Sequence, residues 1–181
     1  MSMKFQQFSV FLLFFTGFYA FSQQTQTGPI IQDYGAVWEI ENPDFAMDKS
    51  QEFKVVFDVK VGPESDIEVN RNLNTVARFL NMHAQHGVPT SQLKAALIVH
   101  GTAARNLLTD EGHQQRYGVP NPNRELVEQL MEANVEVIMC GQSSKTRNLP
   151  KEELIPGVKI ALSAMTANIQ LQNQGYRPIN L

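Results

Sequence analysis

Short apolar runs that alternate with stretches of helical period restrict this chain to a narrow set of folds. Residues 53–61 are rich in Val and Phe and end at Gly62-Pro63, the pattern of a strand followed by a turn. Residues 66–86 then repeat Val69, Leu73, Val76, Ala77 and Leu80 at spacings of three and four, which predicts an amphipathic helix stopped by Gly87. The cycle recurs. A second strand is expected over 93–99 and a short helix over 102–108. A polar loop follows over 109–120, then a helix opened by Asn121-Pro122, with Leu126, Val127 and Leu130 as its inner face. Asn134 closes that helix, and 135–139 and 158–162 read as further strands around a loop at 150–157. A helix over 163–173, stopped by Gly175, and an edge strand over 176–180 complete the series. Strands alternating with helices define βαβ units around a mainly parallel sheet. Near-continuous apolar strands agree, because such a sheet is covered on both faces. The right-handed crossover rule sends every strand end to one edge, so Val61-Gly62, His100-Gly101 and Cys140-Gly141 are expected to converge.

The first residues read as an address. Lys4 precedes an apolar run from Phe8 to Phe21, shorter than the roughly 20 residues of a membrane span. Ala20-Phe21-Ser22 offers small residues at the positions a signal peptidase reads, so residues 1–22 are expected to be a signal peptide cleaved after Ser22. An uncleaved anchor is the rival. A cleaved protein would be periplasmic or secreted, with no stable membrane insertion. Residues 23–52 read as a linker and an extension whose Trp38, Ile40 and Phe45 need burial, and 53–181 as one domain. The formal charge of −3 comes with scattered Lys and Arg and no basic stripe, which argues against a nucleic-acid partner. The loops carry no phosphate-cradling glycine pattern, and no cofactor is expected.

Cys140 is the single cysteine, unusual for an exported chain, where thiols are ordinarily paired or absent. At a strand's carboxyl end it stands where open α/β proteins carry their chemistry. Gly141 permits close approach, and Ser143 or Ser144 is placed to cap a short helix that would favour an accessible thiolate, with Lys145 and Arg147 adding positive charge. The amides from Gly141 through Gln142 and Ser143 to Ser144 would then stabilise charge. The plainer alternative is a small apolar filler. His100, followed by Gly101, is either a proton acceptor for Cys140 or a ring that ties down its loop. Asp58, inside an apolar strand, reads as a structural hydrogen-bonding group. His83 and His86 share a helix face without a third ligand nearby. His113 falls in the polar loop, as a surface, lid or subunit contact. A weaker metal-binding alternative combines His100, Cys140 and a loop histidine.

The stretches 54–59, Ala96-Leu97-Ile98-Val99-His100-Gly101, Asn121-Pro122 with Leu126 and Leu130, 135–143, and Leu154-Ile155-Pro156-Gly157-Val158 resemble the DsrE/DsrF-like (YchN-like) family. The exported branch of that family is the nearest in pattern. The resemblance implies a three-layer α/β/α fold with a mainly parallel five-stranded sheet, often built into homo-oligomers. It further implies a cysteine that carries sulfur as a persulfide, at the position of Cys140. The partners would be a sulfur donor or acceptor protein, or a small thiol. A non-catalytic module that binds a small ligand or partner, with Cys140 structural, is the alternative.

Overall fold

The structure, a computed structural model, describes residues 24–181. The expected signal segment and its cleavage point lie outside the described residues.

One sheet holds β1 (Phe53–Val59), β2 (Leu93–Val99), β3 (Glu136–Cys140), β4 (Lys159–Ala161) and β5 (Arg177–Asn180) in the order β4-β3-β2-β1-β5. All four pairings are parallel, and the five-stranded α/β fold expected from the sequence is present. β1 and β2 pair from Phe53 opposite Leu93 to Val59 opposite Val99, so these two strands finish level. β3 joins with Val99 opposite Met139. Continuing that register by one residue sets His100 opposite Cys140.

Crossover handedness decides which face each helix covers. The chain steps one way from β1 to β4, with α1 (Arg71–Gln85), α2 (Asp110–Tyr117), α3 (Arg124–Glu132) and α4 (Gly141–Thr146) in the connections. From β4 it returns across the sheet to β5 through α5 (Ala164–Asn173). Right-handed crossovers that run in opposite directions lie on opposite faces. Accordingly α1, α3 and the 3-10 segment Gly101–Leu107 share the larger core with Phe57, Val59, Leu97 and Val99. On the other face α5 packs Ala164, Ala167 and Leu171 against Val56, Ala96, Ile98, Ile138 and Cys140. The alanines at this contact let the helix lie close to the sheet.

Four expectations are corrected. The polar stretch 109–120 is not a loop but contains α2. Thr109 accepts from the Gly112 amide at 3.1 Å, Asp110 and Glu111 sit in the positive first turn, and Gly118 ends the helix in the left-handed region. His113 is buried there, its Nδ1 2.7 Å from the Val119 carbonyl, so it is neither lid nor surface contact within this chain. The third helix starts at Arg124 rather than at Pro122, because Asn121 and Asn123 are buried in side-chain bonds that hold the approach. Trp38, Ile40 and Phe45 are exposed, at 52%, 55% and 93%.

The extension is instead held by polar contacts. Asn81, fully buried on α1, accepts from the Ile30 and Ile31 amides at 3.2 and 2.9 Å and donates to the Ile31 and Tyr34 carbonyls at 2.9 Å. Asn74 accepts from the Gly35 amide at 2.8 Å. Ile31 enters the larger core, Val37 is buried, and the Gln26 and Val37 backbones pair in antiparallel fashion. With the backbone of 30–35 secured in this way, the later aromatics contribute little to docking. Asn81→Ala strands these buried groups and is expected to cost roughly 2–4 kcal/mol in chemical denaturation. Proteolysis within residues 24–37 is expected to quicken in parallel, and an unchanged cleavage rate would contradict the clamp.

Candidate active site at the end of β3

The sheet delivers Cys140 to the point where the connections part. α4 leaves β3 against the 3-10 segment of the larger core, while α5 leaves β4 onto the opposite face. Crevices at such divergences are where open α/β sheets bind ligands. Cys140 caps α4 with extended backbone angles (φ −66°, ψ 118°), and Gly141 begins the helix. Gly141 is required by space, since a Cβ there would lie 2.5 Å from the Ala161 carbonyl oxygen.

The thiol is buried, at 5% exposure, rather than accessible at an open rim. Its surroundings are nonetheless polar. Burial, the largest single influence, pushes the thiol up. The Ser143 and Ala164 amides, the Ser143 hydroxyl and the Gln142 amide together outweigh burial and hold the thiol below its ordinary value. No regular side-chain cap bond forms at the sulfur, so these groups act on it as converging dipoles rather than as one well-aligned hydrogen bond.

Ser143 links the thiol to the neighbouring strand. Its Oγ accepts from the Gly101 amide at 3.0 Å, which leaves the hydroxyl proton free to be directed at the sulfur. Gly101 has φ +57°, and a Cβ would meet the Lys60 carbonyl oxygen at 2.6 Å, so only glycine fits this turn. Gly62 donates to Thr102 Oγ1 at 3.0 Å. The three strand ends therefore meet as the sequence suggested. Ser144 turns away and donates to the Leu149 carbonyl at 2.7 Å, fixing the exit of α4. Gln142 is exposed and its side chain donates to the Leu162 carbonyl at 3.2 Å.

His100 faces the same side of the sheet as Cys140, because its extended backbone continues the alternation of Ala96 and Ile98. Its Nε2 lies 2.8 Å from Asp58 Oδ1. Asp58 Oδ2 accepts from Asn168 Nδ2 of α5 at 2.7 Å. The Oδ1 contact is close but not aligned as a regular hydrogen bond, and that oxygen is sealed from water. Asp58 and Asn168 were not legible as site residues; the charge within an apolar strand was the only signal. The other histidines lie elsewhere. His83 stacks between Phe53 and Phe79, with centroids at 4.6 and 4.5 Å, and Nδ1 of both His83 and His86 contacts a carbonyl of α1. The metal combination of His100, Cys140 and His113 does not assemble. Among the described residues no group of three His, Cys, Asp or Glu is arranged to hold a metal ion.

Fold and site together define an open parallel α/β protein with one shielded, amide-surrounded thiol at its strand ends. The sequence pattern of the DsrE/DsrF-like family matches residues 54–181, and the chain belongs to that family, whose general association is with sulfur relay. In structure it is similar to the protein of unknown function MTH1491 from Methanobacterium thermoautotrophicum (TM-score 0.54, 16% identity, 71% of this chain and 99% of that one). The ychN protein from E. coli gives a TM-score of 0.53 at 20% identity, over 71% of this chain and 98% of that one. At these identities the likeness is one of fold. No curated protein matches the chain.

A lowered thiol makes stability depend on pH with a definite sign. Its contribution is fully present above the unfolded value of about 8.5 and is lost as pH falls through the lower folded value. The stability advantage of the native chain over Cys140→Ser is therefore expected to grow between neutral pH and about pH 9 in chemical denaturation. A difference that stays flat or shrinks contradicts the amide-stabilised thiolate.

Proposed function

We propose that the protein handles sulfane sulfur through Cys140, outside the cytoplasm, with a small thiol or a donor or acceptor protein as partner. The observation that carries this is the convergence of amides from α4 and α5 with the Ser143 hydroxyl on the sulfur, which favours the thiolate despite burial. The thiolate attacks the terminal sulfur of R–S–SH. A bond forms between the Cys140 sulfur and that terminal sulfur, the S–S bond of R–S–SH breaks, and R–S⁻ leaves. His100 takes the thiol proton and returns it to R–S⁻, so thiol plus persulfide become persulfide plus thiol with no net oxidation. At 5% exposure the site admits a slender persulfide or polysulfide end more readily than a folded surface. A lone cysteine suits a carrier, since no second thiol resolves the persulfide. The apolar segment before residue 22 motivates the external location, and no helix among the described residues is long and apolar enough to cross a membrane.

A second reading, a binding or assembly module with a structural thiol, draws on a different observation. Leu162, Met165 and Ile169 are 73%, 74% and 59% exposed around the start of α5, beside the Ala164 amide. Such a patch fits docking of a partner or of a second copy. Incubation with inorganic polysulfide followed by intact mass measurement separates the two. Sulfur carriage predicts a gain of whole sulfur atoms that thiol reductant removes and Cys140→Ser lacks. No gain, or an equal gain in that variant, favours the module.

A further inference from the structure

We propose that Asp58, braced by Asn168, is a positioning residue that fixes His100 as the proton acceptor of the Cys140 site. The inference rests on Cys140 being the reacting thiol and adds the group that orients its base.

The carboxylate dictates the tautomer. Asp58 Oδ1 is shut off from water, and its close partner is His100 Nε2 at 2.8 Å. An unprotonated Nε2 would set a lone pair against a carboxylate oxygen, which a water-free contact does not tolerate. Nε2 therefore carries hydrogen, and in the neutral ring Nδ1 is left as the basic nitrogen.

Asn168 makes the arrangement specific. Its amide holds Oδ2 at 2.7 Å, which stops the carboxylate from rotating away from the ring. Asn168 lies on α5, the helix whose first amide, that of Ala164, faces the Cys140 sulfur. One helix thus contacts both the Asp58 carboxylate and the Cys140 site. Asp58 on β1 pairs with Ile98, His100 follows the end of β2 and Cys140 ends β3, and by alternation all three take the sheet face of Val56, Ile98 and Ile138, with neighbouring strands about 4.8 Å apart. A hydrogen bond also ties the two turns together, since the amide next to His100, that of Gly101, donates to Ser143 Oγ at 3.0 Å. Other charge is sparse. β1 contributes Asp58 and Lys54, whose Nζ lies 5.0 Å from the Tyr176 ring centroid, the exposed Lys60 follows that strand beside Gly101, α4 contributes exposed Lys145, and α5 holds no ionisable residue.

The test is the rate at which iodoacetamide alkylates Cys140 across pH, clean because the chain has no second thiol. Asp58→Asn is expected to slow alkylation at pH 7 by about threefold or more and to move the profile upward, as His100→Gln does. Combining the two is expected to slow it no further, because Asp58 acts through the ring. Asn168→Ala is expected to slow alkylation in the same direction only while His100 is present, and it carries the test if Asp58→Asn does not fold. An unchanged profile in Asp58→Asn or Asn168→Ala overturns the proposal. So does an Asp58→Asn effect that persists undiminished in the His100→Gln background, which marks a structural role. Alkylation is read without polysulfide, so failed sulfur uptake and failed positioning are distinguished.

Discussion

A parallel sheet whose chain first advances and then doubles back must place its last crossover on the face opposite the earlier ones. In this protein that constraint acts between β3 and β4, where α4 turns to one side and α5 to the other. The position left between them is the end of β3, and the residue there is Cys140. Two helices that leave a point in different directions both offer amides to it. A single helix start would supply Ser143 and Gln142; the doubling back adds Ala164. The electrostatics of the thiol thus follow from topology more than from any nearby charge.

Burial gives this arrangement its character. A thiol sealed among aliphatic groups would be raised and inert. Here the apolar neighbours Ile138, Ala164 and Ala167 pack around the carbon frame while polar groups face the sulfur. Gly141 and Gly101 make this possible by letting the backbones of β4 and β1 come within a distance that excludes a side chain. The Asp58–His100 pair lies on the same face, with Asp58 held by Asn168 of a helix already fixed in the core.

Much of the fold was legible because the strands are buried on both sides and carry their apolar signal without interruption. Phe57, Leu97 and Ile138 announce a covered sheet wherever they are read. α2 was missed because it hides one histidine and one glycine beneath an otherwise polar surface, so no apolar period exists to be found. Its signals were Thr109 with Asp110 and Glu111 at the start and Gly118 at the end. The aromatics of the extension misled, since hydrophobicity suggested burial where Asn81 and Asn74 anchor the backbone. Cys140, His100, Gly101 and Ser143 were expected to meet from their places at strand ends, and the structure brings them together. Ser144 was not separable from Ser143, because which hydroxyl turns inward depends on the helix rotation after Gly141. Asp58 needed its partner in three dimensions; alternation along β1 and β2 places it on the face of His100, but sequence alone does not say that the two meet.

The central claim is that amides from two diverging helices make a buried thiol more acidic than a free one. Titrating the ultraviolet absorbance of the thiolate, with Cys140→Ser as the blank, reads this directly because the chain holds one cysteine. The account predicts a midpoint below the free reference of about 8.5. A midpoint at or above it would show that desolvation outweighs the dipoles and would contradict the account.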